Sequence, residues 1–225
     1  MTVGGGPGGG EPVPPLTPPI IHQWWVGDLP AHIETWMGRW PELHPGWEYR
    51  LWSDEFPGVL SKDLRRCWDM VPDLWRENTV ARIRSNIVRY WLLVEHGGVW
   101  VDADIQPLKP IDPFRMFDCW LPWTSDRSGT YPMNAPWGSV PGHRLPAECV
   151  RDLLDAHERK ARGEKVDLTG PRYVAARVGG DVTVVAEGLF NPYGWQQTAD
   201  YPLDTDFAAL FPQAYTVHHW NYARR

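Results

Sequence analysis

Gly97-Gly98-Val99-Trp100-Val101-Asp102-Ala103-Asp104 reads as a tight glycine turn, a short apolar strand and two acids at the strand's end. Upstream, from Glu77 to Gly98, the residues Val80, Ile83, Ile87, Tyr90 and Val94 recur at spacings of three and four. That spacing makes one apolar helical face, with Arg82, Asn86 and Arg89 on a neighbouring polar stripe. The glycine pair closes the helix, because glycine is favoured where a left-handed cap is needed. The order is therefore helix, glycine turn, buried strand, paired acids.

Working outward, Ile20 to Val26 is a short apolar run stopped by Gly27-Asp28 and Pro30, a buried first strand leading into a loop. Ala31 to Trp40 suits a helix that Pro41 ends. Glu48 to Trp52 alternates as a second strand. Downstream, Pro146 to about Arg162 reads as an exposed helix. Thr169-Gly170-Pro171 reads as a helix start, with proline in the first turn, and Val182–Ala186 and Tyr215–Val217 as short strands. Strands alternating with helices predict an α/β sandwich whose helices cover the sheet. Residues 1–18 are dominated by Gly and Pro and read as a disordered leader; residues 19–225 read as one domain.

The bulk properties exclude more than they identify. A net charge of −6 supplies no basic surplus for binding nucleic-acid phosphates or an anionic membrane. No apolar run approaches the roughly 20 residues that span a bilayer, and the first residues lack the basic-then-apolar pattern of a signal peptide. Cys67, Cys119 and Cys149 follow no metal-ligand spacing and read as reduced thiols, so the expectation is a soluble, cytoplasmic protein. The 15 tryptophans are mostly core material, with flat faces available for bases or sugar rings.

Two carboxylates one residue apart at a strand end can turn toward one site. Asp104 can ligate a hard divalent cation, and Asp102 can ligate it or orient a ribose. Mg²⁺ and Mn²⁺ favour such oxygen ligands and keep positions open for phosphate oxygens. Alone, D-x-D is a common surface or turn pattern; at the end of an apolar strand it is not. No His-x-His cluster of the kind that two-metal phosphoesterases use precedes His218-His219.

Arg82-x-x-Ser85-Asn86-x-x-Arg89-Tyr90, followed by the glycine turn, strand and Asp102-Ala103-Asp104, resembles the D-x-D sugar-binding region of a glycosyltransferase family. That family includes fungal initiating mannosyltransferases, capsular-polysaccharide sugar transferases and, distantly, the catalytic domains of clostridial glucosylating toxins. Further segments resemble it in order: Ile20 to Gly27, Pro45 to Trp52, Leu108 to Asp112, Thr169-Gly170-Pro171 and Val217-His218-His219-Trp220. The chain departs from the pattern at Asn86, where the family has an acid, and after Trp220, where a second Ser-Trp pair is missing.

The resemblance implies a GT-A type, Rossmann-like α/β fold and a retaining transfer from a UDP- or GDP-sugar with Mn²⁺ or Mg²⁺. The acceptor could be a saccharide, a lipid-linked glycan, a protein or a hydroxylated nucleobase. It assigns catalysis to Asp102, Asp104 and Arg89, and the metal to Asp104, Asp102 and His218, with His219 the lesser candidate. Donor binding falls to Trp25 (stacking on the base), Val26, Arg82, Ser85, Asn86, Arg89, Gly97, Gly98, Asp102, Ala103 and Asn134. The competing expectation is a sugar-binding module of the same ancestry that transfers nothing, which the intact acid pair argues against.

Overall fold

A computed structural model describes residues 17–53, 59–74, 77–127 and 129–221 and, at positions 77 and 78, the backbone alone. Most of the expected leader, residues 1–16, lies outside the described residues. Thr17 is already part of the domain: it is buried, its hydroxyl donates to Phe117 O at 2.7 Å and its N–H to Arg115 O at 3.0 Å.

The α/β sandwich expected from the alternating pattern is present. Strand β1 (Ile20–Trp24) is followed by helix α1 (Ala31–Leu43) and β2 (Glu48–Trp52), then by α2 (Lys62–Leu74), α3 (Glu77–Glu95) and β3 (Gly98–Trp100). The remaining elements are β4 (Ile105–Pro107), β5 (Cys119–Asp126), β6 (Gly129–Pro132), β7 (Trp137–Ser139), α4 (Arg144–Ala161), α5 (Pro171–Ala175), β8 (Thr183–Val185), α6 (Phe207–Leu210) and β9 (Thr216–His218). The main sheet runs β2-β1-β3-β7-β5, with β6 and β8 both on β5; β4 and β9 form a separate antiparallel pair. β2, β1 and β3 are mutually parallel, but β7 runs antiparallel between β3 and β5, so the sheet is mixed.

From β1 the chain crosses to β2 on one side, then returns past β1 to β3 on the other. Right-handed crossovers in opposite directions place their helices on opposite faces. Accordingly α2, α3 and α4 pack on one another, whereas α1 packs on β4 and β2. Such a reversal opens a crevice at the carboxyl ends of the two central strands. Here β1 and β3 pair Ile21 with Val99 and His22 with Trp100, and the Val101 N–H continues to His22 O at 2.9 Å. Carried forward, that register sets Trp24 beside Asp102 and Trp25 beside Ala103.

The turn feeding β3 admits only glycine. Gly97 and Gly98 have φ of +62° and +86°. A Cβ on Gly97 would stand 2.7 Å from Ser139 O, and one on Gly98 2.6 Å from Ile20 O. His22, wholly buried, ties this turn to the sheet: its Nε2–H donates to Gly97 O at 3.0 Å and its Nδ1 accepts from Trp52 Nε1 at 3.2 Å. Those partners fix a neutral imidazole. Burial, aided by the nearby Arg50 and His96, lowers its pKa to about 4 against the pull of the Gly97 carbonyl and Glu48. The native state thus favours the deprotonated ring. Its contribution is complete above the unfolded value of 6.5 and lost as pH falls toward 4, about 3 kcal/mol in all. The expected result is a falling denaturation midpoint across that window, with His22 ring protons that do not titrate above pH 5. An NMR midpoint near the unfolded value would overturn it.

Two local expectations are corrected. Helix α1 does not stop at Pro41 but continues to Leu43. The proline forfeits one helical hydrogen bond, while Trp40 is fully buried and both the N–H and the ring Nδ1 of His44 bond to Trp40 O, at 3.2 and 2.8 Å. Helix α4 is half-buried rather than exposed: Leu145, Cys149, Leu153 and Ala156 recur at helical spacing and pack into the core. Cys67, Cys119 and Cys149 are free and buried, and burial raises each thiol's pKa to about 12. Among the described residues no helix is long and apolar enough to cross a membrane.

Candidate functional site

After β3 the chain turns at Asp102, whose carbonyl accepts the Ile105 N–H at 3.0 Å, and enters β4. β4 pairs Ile105 with His218 of β9, which brings a histidine from the far end of the chain beside Asp104. His218 Nε2 lies 3.2 Å from Asp104 Oδ1, and the Asn221 N–H donates to Asp104 Oδ2 at 2.8 Å. Burial alone would raise the Asp104 pKa. The His218 charge and hydrogen bond, with the Asn221 N–H, outweigh it and hold the carboxyl down at about 2.

One ligand atom each from Asp102, Asp104 and His218 can be chosen so that all lie within 4.8 Å of one another. His218 is buried, stacked on Trp220 at 3.8 Å, and its Nδ1 has no protein partner. Two carboxylates and one imidazole, drawn together at this spacing, fit a divalent cation. The imidazole suits Mn²⁺ better than Mg²⁺. Strand alternation turns His219 the other way, stacked on Trp36 at 3.8 Å with Nε2 2.9 Å from Gln106 Oε1.

Arg89 reaches the same acids from α3. Its Nη2 pairs with Asp102 Oδ1, which also accepts from Trp100 Nε1 at 2.8 Å, and the guanidinium lies 5.1 Å from the Trp100 ring centre. Arg89 is only 3% exposed, so the polar stripe it lies on is not a solvated face at this position. Its Nε and Nη1 are buried without protein partners. Unmade hydrogen bonds at a buried cation are expensive, and a ligand rich in acceptor oxygens would satisfy them.

One helical turn before Arg89, Asn86 is buried and its Oδ1 accepts from Asn134 Nδ2 at 3.1 Å. The departure from the acidic pattern thus pairs two buried amides one helical turn from Arg89. On the β1 side, Trp25 is half-buried and packs against the cluster of Ile33, Trp36, Met37 and Ala103. Its Nε1 donates to Gly27 O and Asp28 O at 3.2 and 3.3 Å, which fixes the ring in the loop. Val26 is half-buried at the edge of the main core.

Four residues expected at the donor are elsewhere. Ser85 turns its hydroxyl back to Arg82 O at 2.8 Å, and Arg82 is exposed two helical turns from Arg89. Gly97 and Gly98 stand at the opposite end of β3 from the acids, roughly 13 Å from Asp102 along the strand, and serve the turn. Asp28 is exposed in the β1–α1 loop, and Asp54 lies outside the described residues.

Three participants were not legible beforehand. Trp100 holds Asp102, Gln23 Nε2 donates to Asp102 O at 3.4 Å, and the Asn221 backbone caps Asp104. Only Trp100 carried a signal, since a residue two before Asp102 on a strand shares its face.

The family model described as "Glycosyltransferase sugar-binding region containing DXD motif" matches residues 30–121. A mannosyl phosphorylinositol ceramide synthase of Saccharomyces cerevisiae is 31% identical over 63% of this chain and 36% of its own length. Inositol phosphoceramide mannosyltransferase 3 of Schizosaccharomyces pombe is 32% identical over 60% of this chain and 37% of its own length. The chain therefore spans little more than a third of the curated relatives it matches. Among solved structures, the PaToxG glycosyltransferase overlaps with a TM-score of 0.48 at 16% identity, covering 71% of this chain and 68% of that one. A glycosyltransferase involved in glycosylation of the major capsid of PBCV-1 gives 0.42 at 15% identity, covering 89% and 94%.

Proposed function

We propose that this chain, which carries the DXD-containing sugar-binding region of glycosyltransferases over residues 30–121, is a metal-dependent transferase of GT-A type that moves a sugar from a nucleotide-sugar to a hydroxyl acceptor. The observation that carries this reading is the meeting of Asp102, Asp104 and His218 with the unpartnered donors of Arg89 at the carboxyl ends of β1 and β3. A bound Mn²⁺ or Mg²⁺ would neutralise the charge gathering on a departing diphosphate.

Asp104 and His218 would hold that ion, with Asp102 at its edge. Asp102 also holds Arg89 in place, leaving Nε and Nη1 to donate to phosphate or sugar oxygens. Trp25 stacks on the base, Val26 and Ala103 flank it, and Asn86 and Asn134 meet sugar hydroxyls. Asp102 is engaged by Arg89 and Trp100, and Asp104 by His218 and the Asn221 N–H, so neither is assigned the part of a nucleophile. The reading is therefore a front-face transfer with retention, in which electrostatic stabilisation of the leaving group carries the catalysis.

The donor is UDP- or GDP-linked. The relatives' names make the mannosyl donors of the panel the first to try. The test is a panel of UDP- and GDP-sugars, followed by thermal shift and by nucleotide release with and without Mn²⁺. One donor should raise the melting temperature by mass action and be hydrolysed only with the metal, and NMR of the transfer product should show the donor's anomeric configuration. A panel silent in both assays would sink the reading; an inverted linkage would sink its mechanism alone.

A further inference from the structure

β5 runs parallel to β3 with β7 between them, in the registers Gly98–Ser139–Cys119 and Val99–Gly138–Trp120. Carried forward, Trp123 stands level with Asp102, and Ser125 lies two residues farther out, roughly 10 Å to the side across two strand spacings. The β5–β6 hairpin, paired from Trp123–Pro132 out to Asp126–Gly129, therefore overhangs the same sheet edge as the acids, on the side away from Trp25. Gly194 lies against this overhang. A Cβ there would stand 2.8 Å from Ser125 O, so a glycine is what lets the segment approach.

The next residue, Trp195, opens the 3₁₀ turn Trp195–Asp200 and is the one exposed tryptophan among the described residues, at 38%. The ring is nevertheless fixed. With the Gln196 amide turned to satisfy both neighbours, its oxygen accepts from Trp195 Nε1 at 3.2 Å and from the Arg127 N–H at 3.1 Å. The Gly194 N–H donates to Gln197 Oε1 at 3.0 Å, which anchors the segment from the other side. The indole is thus held open to solvent and is tied through Gln196 and the Arg127 N–H to the hairpin whose Ser125 O faces Gly194.

We propose that Trp195 is the stacking platform of an acceptor subsite for a pyranose ring, an inference that rests on the transferase reading above. A pyranose presents an apolar C–H face to an aromatic ring and hydroxyls around its edge. A lone aromatic in a polar rim matches that shape. An acyl chain or a protein partner would call for a continuous apolar surface, whereas the groups tied to Trp195 are the Gln196 amide and, through it, the Arg127 backbone. The subsite makes the acceptor a saccharide and sets it across the acids from the nucleobase.

The experiment uses the full chain with Mn²⁺, its nucleotide-sugar, and methyl α-D-mannopyranoside, methyl β-D-glucopyranoside and methyl β-D-galactopyranoside as acceptor probes. Trp195→Ala should raise the KM for the accepted glycoside by about tenfold, and Trp195→Phe, which keeps a flat face, should recover most of it. A purely structural role would instead lower the melting temperature of both variants together. If the wild type hydrolyses the donor but neither variant changes the glycoside KM, or no glycoside is accepted, the platform is wrong and the transferase reading stands. If no nucleotide-sugar is used at all, the transferase reading falls. Titrating the same glycosides against tryptophan fluorescence in wild type and Trp195→Ala then decides the platform: quenching confined to the wild type supports it, and identical curves overturn it.

Discussion

Asp104→Asn is expected to abolish Mn²⁺ binding and, with it, metal-dependent turnover of the donor, while the fold survives. The amide is nearly isosteric, and its oxygen can still accept the Asn221 N–H that now reaches Oδ2 at 2.8 Å. What it cannot offer is the negative charge facing His218 at 3.2 Å. Residues that merely orient a metal's ligands typically cost 10–100-fold in affinity when changed, so loss of a direct carboxylate ligand should weaken Mn²⁺ by at least about 100-fold. Calorimetry with Mn²⁺ reads this without any assay of turnover, and wild-type affinity in the variant would remove Asp104 from the site. Stability adds a second readout. The carboxyl is held at about 2 against an ordinary 3.8, a depressed value, so its stabilisation is complete above the unfolded pKa and lost as pH falls toward 2. The variant lacks it at every pH. Its deficit of about 2 kcal/mol should be full at pH 5 and close through that acid window.

The parts of this architecture that were legible in the sequence are those written in near neighbours along the chain. The apolar spacing from Val80 to Val94, the two glycines and the strand that ends at Asp102 are local patterns, and each has its place in the fold. What was not legible depends on distant pairing. Nothing near His218 announces that β9 will lie along β4 and press its imidazole against Asp104; only the family resemblance suggested it. β7 was invisible for the same reason. Trp137-Gly138-Ser139 has no readable alternation and is a strand because β3 and β5 flank it, which also makes the sheet mixed. Arg89 was legible in part: helical spacing put it on a polar stripe and the resemblance gave it a role, but the partner that permits its burial lies beyond the glycine turn, at Asp102. A buried arginine can be recognised only once its acid has been placed beside it.

That burial makes Arg89 the position where stability and chemistry should separate most clearly. Arg89→Met removes the cation and leaves the Asp102 carboxylate with Trp100 Nε1 as its remaining charge-side donor, at 2.8 Å. Breaking a buried ion pair from one side costs about 3–5 kcal/mol. Because the Asp102 side chain is 24% exposed, the lower end applies, about 3 kcal/mol. Arg89→Lys should behave differently. An ammonium can still face Asp102, so most of that stability remains, but a point charge cannot donate to Asp102 and at the same time offer the two further N–H directions that Nε and Nη1 now leave unpaired. Turnover in the lysine variant should therefore fall by about 100-fold, the scale of one lost charge-stabilising donor, with Mn²⁺ affinity unchanged, since the lysine leaves Asp104 and His218 intact. Combining each substitution with Asp102→Asn completes a double-mutant cycle. Strong coupling in stability is expected for the methionine pair, because the two residues share one ion pair. A lysine variant with wild-type turnover would show that the unpartnered nitrogens of Arg89 face no reacting ligand, and the leaving-group role assigned to it would have to pass to the metal site alone.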